Sequence, residues 1–296
     1  MPLAPVRSQV EREATMAVTR SSRRTFLAAT AGSAVVPALS WATPTGPRAR
    51  AHRLKVGLAS YSLRNFTLDQ ALQMCHDMDV AYINLKDVHL PMTDPPEVTQ
   101  AARKKIEAAG LTIMGGGTIT LKNDEAQVRR AFEYARRAGF PLIVAAPELE
   151  ALDLIEKAIQ EFGIKVAIHN HGPEDKLFPA PQDALRRLEG RDKRFGLCMD
   201  VGHAARAGVD PVKTVDECKD RLLDIHLKDL RDKTDKESQT EVGKGALDIP
   251  GLFRALQKIS FTGHAGLEYE INAESPLVGM KESFAYMRGV LDAIEA

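Results

Sequence analysis

Four apolar runs in this chain end in side chains that bind divalent metals. They are Val166-Ala-Ile-His-Asn-His-Gly172, Leu197-Cys-Met-Asp-Val-Gly-His203, Leu223-Asp-Ile-His-Leu-Lys-Asp229 and Gly266-Leu-Glu-Tyr-Glu270. Each reads as a buried strand carrying His, Asp or Glu at its C-terminal end. The runs recur at intervals of roughly 25 to 45 residues, as strands separated by helices would, which gathers their ends on one rim of a parallel barrel.

Side chains alternate along a strand, so residues of equal parity share a face. Cys198 therefore points with Asp200, Asp224 with His226 and Lys228, Gly266 with Glu268 and Glu270, and His169 with His171. If those faces line one mouth, His169, Asp200, His226 and Glu268 converge as two imidazoles and two carboxylates. Such a mixed nitrogen and oxygen set suits Mn²⁺, Co²⁺, Zn²⁺ or Fe²⁺ better than Ca²⁺ or Mg²⁺, which prefer oxygen alone. A lone strand-end His is more often structural, and Asp200 alone could as well cap the next turn. Two acids on one face of a buried strand, Glu268 and Glu270, have a weaker ordinary explanation, because unpaired buried carboxylates are costly.

The elements that must hold these groups are legible from Leu54 onward. Short apolar segments at 55–61, 82–86, 112–116, 141–146, 165–170, 196–200, 222–228 and 265–269 read as strands buried on both faces. Amphipathic runs at 68–78, 99–109, 125–138, 152–162, 181–188, 212–220, 250–258 and 283–294 read as the helices between and after them. Gly110, Gly139 and Gly163 stand where helices would stop before the next strand. Eight such repeats in about 250 residues predict a (β/α)₈ TIM barrel. An open doubly wound sheet would show a glycine-rich turn after its first strand, and Gly57-Leu-Ala-Ser-Tyr-Ser62 is no such turn.

Charge is balanced over the whole chain of 296 residues but unevenly placed. Residues 1–50 carry seven Arg and two acids, which leaves +5 on this head and −5 on the remainder. An acidic body argues against a nucleic-acid partner, which needs a basic footprint. Ser22-Arg-Arg-Thr-Phe-Leu27, the apolar stretch to Leu39 and the small residues at 38–42 resemble a bacterial twin-arginine export signal, with Met16 as an alternative start. The stretch is too short and too rich in Ala and Gly to span a bilayer comfortably, so no stable membrane insertion is expected once the signal is removed. The expectation is a removable segment over 1–50, a single barrel domain over 51–296, and a periplasmic or otherwise exported product. Cys75, Cys198 and Cys218 are odd in number and scattered, and do not form a disulfide or zinc-knuckle pattern.

His169-Asn-His171, Asp200-Val-Gly-His203, His226-Leu-Lys-Asp229 and Glu268-Tyr-Glu270 together resemble the xylose isomerase-like barrels known as sugar phosphate isomerases/epimerases. That group includes ketose 3-epimerases, inosose dehydratase, dehydroshikimate dehydratase and endonuclease IV. The resemblance covers residues 54–296 and implies that Asp200, His226 and Glu268 are metal ligands. It places His169 where the epimerases carry a glutamate that is both ligand and proton-transfer group. That departure weakens a symmetric two-glutamate mechanism, with Glu148 as the reserve ligand. It further implies a catalytic role for His171, substrate contacts for His203 and Glu174, and a homo-oligomer as in some relatives.

A divalent ion with open positions, Mn²⁺ foremost, would bind a carbonyl and its neighbouring hydroxyl and stabilise the enediolate left by proton removal. Glu270 or His171 is the expected base, with His203 and Lys228 orienting hydroxyls and Lys86 and Arg206 reaching the substrate. Gly243-Lys-Gly245 could offer backbone N–H groups to an anion. Returning the proton gives epimerisation or isomerisation, and expelling a β-substituent from a 3-keto sugar or glycoside gives elimination. The alternatives are a three-zinc phosphodiesterase, which the acidic body does not favour, and a sugar-binding barrel without turnover.

Overall fold

The computed structural model of the protein describes residues 52–296. The Arg23-Arg24 motif, Met16 and the expected cleavage positions lie outside the described residues. The barrel strands are β1 (Lys55–Ala59), β2 (Tyr82–Leu85), β3 (Thr112–Leu121), β4 (Leu142–Pro147), β5 (Lys165–His169), β6 (Phe195–Asp200) and β7 (Leu222–Leu227). Two short strands, β8 (Asp229–Leu230) and β9 (Gln239–Thr240), then precede the last barrel strand, β10 (His264–Leu267). All neighbouring barrel strands are parallel, and β1 pairs with both β2 and β10, so the sheet closes without an edge. The predicted TIM barrel is the observed fold.

The outer layer contains α1 (Leu68–Asp77), α2 (Pro96–Ala108), α3 (Glu125–Ala138), α4 (Leu152–Phe162), α5 (Pro181–Arg187), α6 (Val201–Arg206), α7 (Pro211–Cys218), α8 (Ile249–Lys258) and α9 (Leu277–Ile294). Their ends follow local rules. Thr67 starts α1 in a reciprocal capping box with Gln70, which satisfies two otherwise orphaned N–H groups. Gly139 and Gly163 close α3 and α4 with φ of 74° and 71°, a conformation costly for any residue with a Cβ. Helix α8 buries Ile249, Leu252, Phe253 and Leu256 at helical spacing, each contributing about 1.5–3 kcal/mol by leaving water. Truncating Phe253 to Ala would cost about 3–5 kcal/mol.

Several features depart from the sequence expectation, among them α9, which begins at Leu277 rather than at 283. Strand β3 continues to Leu121, five residues beyond Gly116, because Ile119, Thr120 and Leu121 find partners in β4. Residues after Asp200 form α6, too short to show periodicity. The stretch between β7 and α8 carries the antiparallel pair β8 and β9, in register Asp229 with Thr240 and Leu230 with Gln239.

Within the barrel, polar side chains occupy two levels. The lower one holds His264 and Asp224, with Nδ1 and Oδ1 3.4 Å apart, and Asn84, which donates to Asp224 at 3.2 Å. Glycine makes room for that imidazole, since a Cβ at Gly57 would lie 2.6 Å from His264 Nε2. Two residues further along β7, in accord with strand alternation, His226 enters the upper level.

Candidate active site

His169 ends β5, Asp200 ends β6, His226 lies one residue before the end of β7, and Glu268 follows β10. Their donor atoms all lie within 4.8 Å of one another, and all four residues are buried. His169 Nε2 lies 3.0 Å from His226 Nδ1 and 3.7 Å from Asp200 Oδ2. Glu268 Oε2 is 3.2 Å from His226 Nδ1.

Asp200 divides its two oxygens. Oδ1 accepts from His203 N at 2.8 Å and caps α6, while Oδ2 is buried without an aligned hydrogen bond. The turn-capping and site-facing readings of this residue are therefore both satisfied. A site-facing carboxylate oxygen, two imidazoles and a second carboxylate on rigid strand ends make a donor set of the kind that holds a transition-metal dication. The residues fit such an ion.

Electrostatics sharpen the arrangement. Burial pushes the His169 imidazolium down to about 3, so the ring is neutral at ordinary pH. Burial also works against a charged His226, but Cys198 and Glu268 outweigh it and hold that pKa well above the usual histidine value. Lys228 Nζ lies 3.1 Å from Asp200 Oδ2 and 3.0 Å from Glu268 Oε2, and it also pairs with Glu270. Burial opposes its charge, and these three carboxylates, Asp200 first, more than restore it. Lys228 is thus committed to carboxylates in this structure, where hydroxyl orientation had been expected.

Beside the donor set lies a cavity of 290 Å³ lined by Tyr61, Lys86, Thr118, His169, His171, His203, Glu268 and Glu270. His171 approaches Asp175 at 3.3 Å, and its pKa is lowered by burial and then by His203. Lys86 donates to Thr118 O at 2.9 Å, which fixes its ammonium in the cavity wall. Arg206, its side chain only 7% exposed, pairs with Glu174 and lies 3.3 Å from His203 Nδ1. These two line an adjoining cavity of 370 Å³ that shares His203 and Glu270 with the first and extends past Gln239 and Ile271.

Two sequence candidates serve elsewhere. Glu148 accepts from Asn123 N at 2.9 Å and is not in the donor cluster. The N–H groups of Gly243 and Gly245 do bind an anion, but it is the chain's own Asp229, whose Oδ2 they reach at 2.9 and 3.0 Å.

Several residues of the site carried no signal in the sequence. Asn170 holds Asp200 by its backbone, donating to Asp200 O at 3.1 Å and accepting from Asp200 N at 2.9 Å. Ser62 accepts from Tyr269 N at 2.9 Å. His89 is structural, its ring nitrogens 3.0 Å from Ser60 Oγ and 3.1 Å from Leu63 O. Asn170 sits inside the His-Asn-His triplet and was the most findable of these. Ser62 makes its contact 207 residues away.

A family model described as Xylose isomerase-like TIM barrel matches residues 67–290. Inosose dehydratase of Lacticaseibacillus casei is 26% identical over 134 residues, covering 40% of this chain and 45% of that relative. The aligned stretch likewise spans less than half the length of the other first curated relatives. Among solved structures, 3-keto-D-glucoside 4-epimerase YcjR from E. coli matches with a TM-score of 0.65 at 16% identity, over 80% of this chain and 99% of that one. The IOLI protein with a bound zinc atom matches with a TM-score of 0.66 at 16% identity, over 80% and 98%. At these identities the structural likeness speaks for the fold alone. Among the described residues, no helix is long and apolar enough to cross a membrane.

Proposed function

The chain belongs to the xylose isomerase-like TIM barrel family, and from that premise we propose that it is a divalent-metal-dependent isomerase or epimerase of a keto sugar or sugar derivative. The observation that carries the reading is the convergence of four buried donors beside a cavity lined by His171 and Glu270. His169, Asp200, His226 and Glu268 would hold the ion, with Mn²⁺, Zn²⁺, Co²⁺ and Fe²⁺ all compatible with two imidazoles and two carboxylates. When bound, it supplies Lewis-acid stabilisation of the negative charge that develops on the sugar oxygens.

The residues of the chain do the rest. His171 follows β5 and Glu270 follows β10, and these strands are three steps apart in the eight-stranded ring. The two groups therefore reach the shared cavity from different sides. In isomerisation the group that takes the proton from beside the carbonyl gives the same proton to the neighbouring carbon. In epimerisation the second group, protonated from solvent, delivers a proton to the opposite face while the first releases its own to solvent. One His and one Glu thus replace a pair of glutamates. The lowered pKa of His171 leaves it unprotonated near neutral pH, as a base requires. Lys228 pins the Glu270 carboxylate, and Lys86, held by Thr118, presents a cation to substrate oxygens.

Elimination from a 3-keto sugar or glycoside is the second reading, and the adjoining cavity favours it. That space opens past Glu270 and Ile271 and gives a β-substituent somewhere to sit. Export through the twin-arginine route belongs to the proposal through Arg23 and Arg24 alone. Replacing both by Lys and following the protein by cell fractionation tests it.

Metal analysis of the purified protein, followed by proton-exchange NMR in D₂O with a panel of keto sugars and 3-keto glycosides, tests the central claim. Exchange at the carbon next to the carbonyl is expected. Absence of both bound metal and exchange across the panel would sink it.

A further inference from the structure

The backbone of Glu268–Glu270 lies beyond the last residue of β10, and it is held by side chains from distant parts of the chain. Glu268 N still donates to Leu227 O at 3.0 Å. Beyond that point the partners are side chains. Ser62 Oγ donates to Leu267 O at 3.2 Å and accepts from Tyr269 N at 2.9 Å. Gln239 Nε2 donates to Glu268 O at 2.7 Å while its Oε1 accepts from Glu270 N at 2.9 Å. Arg64 Nη2 donates to Glu270 O at 2.8 Å.

Gln239 is distinctive because one planar amide grips both residues that matter, the donor Glu268 and the base Glu270. Asn170 does the same for Asp200 on the other side of the mouth, using both ends of its amide on one backbone unit. A ligand-bearing strand end held by a bidentate amide thus occurs twice in one site.

Gln239 in turn depends on Asp229. The Asp229 carboxylate is fully buried, and it accepts from Gly243 N, Gly245 N and Leu247 N at 2.9, 3.0 and 3.1 Å. Those bonds fold the 240–247 segment back beside β8. A side chain at Gly245 would place its Cβ 2.1 Å from Asp229 Oδ1, so the cradle closes only around glycine. The result is β9 in register with β8, with Gln239 paired to Leu230 and aimed at Glu268 and Glu270.

We propose that Gln239 is a positioning residue for the Glu268 and Glu270 carboxylates, and that the loop folded on Asp229 exists to deliver it. Gln239 is outside the donor cluster, and although it borders the adjoining cavity its amide is spent on the backbone of Glu268 and Glu270, so it acts by fixing the direction in which two acids project. The inference rests on the reading that Glu268 holds the ion. Misplacing one supporting partner of a metal ligand costs about 10- to 100-fold in affinity.

The test measures Co²⁺ affinity by competition, the Co²⁺ ligand-field spectrum and the melting temperature of the metal-free full chain. Gln239→Met keeps the length of the side chain and removes both bonds. The expected result is a Co²⁺ Kd raised about 10- to 100-fold with a shifted spectrum, counted per folded molecule. Gln239→Glu retains an acceptor for Glu270 N and loses the donor to Glu268 O, so it too must weaken Co²⁺. It guards against the case in which Gln239→Met fails to fold. A Kd and spectrum unchanged in the folded fraction of either variant overturn the inference, even if the melting temperature falls. If the wild-type chain itself binds no Co²⁺, the metal reading fails and takes this inference with it. Wild-type binding with unaffected variants overturns this inference alone.

Discussion

His169 Nε2 and His226 Nδ1 face each other at 3.0 Å at the centre of the barrel mouth. Two imidazole nitrogens at this distance need an N–H or a cation between them. Burial drives His169 down to about 3, whereas His226 is held above its usual value. The shared proton therefore belongs to His226 in the metal-free site.

Metal must displace that proton. Because the His226 pKa is raised, the ring is protonated at neutral pH and the ion competes with it more severely as pH falls. Affinity should rise with pH across neutrality, by up to about tenfold per pH unit, with about one proton released per ion. Isothermal titration of Zn²⁺ or Mn²⁺ in buffers of different ionisation enthalpy counts the proton. Binding that is independent of pH and releases none would contradict the assignment.

Lys228 should matter most when no ion is present. Its ammonium is the cation between Asp200 and Glu268, both buried. Removing one partner from a buried ion cluster costs about 3–5 kcal/mol, mainly by stranding the other charges. Lys228→Met should show that loss in urea denaturation with chelator and recover much of it with saturating metal. An equal loss in both conditions would mean that the ion does not share those carboxylates.

Glu268 and Glu270 are two residues apart yet should fail differently. Glu268→Gln is expected to lose metal affinity, while Glu270→Gln keeps the metal and loses proton exchange by about 10²- to 10⁴-fold. His171→Asn should likewise keep the metal and lose exchange, and the wild-type acid limb should lie below 6.5, the usual value from which burial lowers this ring. Full exchange by His171→Asn would leave Glu270 as sole base and remove the two-sided mechanism.

Ile271 lines only the second of the two cavities. Ile271→Trp should narrow that space and suppress turnover of 3-keto glycosides with a bulky substituent while leaving exchange on free keto sugars near the wild-type level. Equal effects on both ligand types would argue that the second cavity holds no part of the substrate.

Much of this site could be read directly. The eight strands and the ends of α3 and α4 follow from alternation, helical periodicity and glycine placement, all local in sequence. Asp200, His226 and Glu268 announced themselves as charged side chains ending apolar runs. The shape of the 229–248 stretch was not legible, since its order comes from one buried carboxylate that collects N–H groups 14 to 18 residues away. The N–H groups of Gly243 and Gly245 form a cradle whose anion is the internal Asp229 carboxylate.

The sequence by itself determined which side chains reach the barrel mouth, because a strand period of two and a closed parallel ring leave them nowhere else to point. It did not determine how they are paired there. That Asp200 turns one oxygen to α6 and the other to the site is a tertiary outcome. So are the commitment of Lys228 to three carboxylates and the grip of Gln239 on Glu268 and Glu270. Each pairs groups brought together only when the ring closes, such as Lys228 with Glu270 across 42 residues. In a buried site every charge and N–H must find a partner, and that accounting is settled in three dimensions.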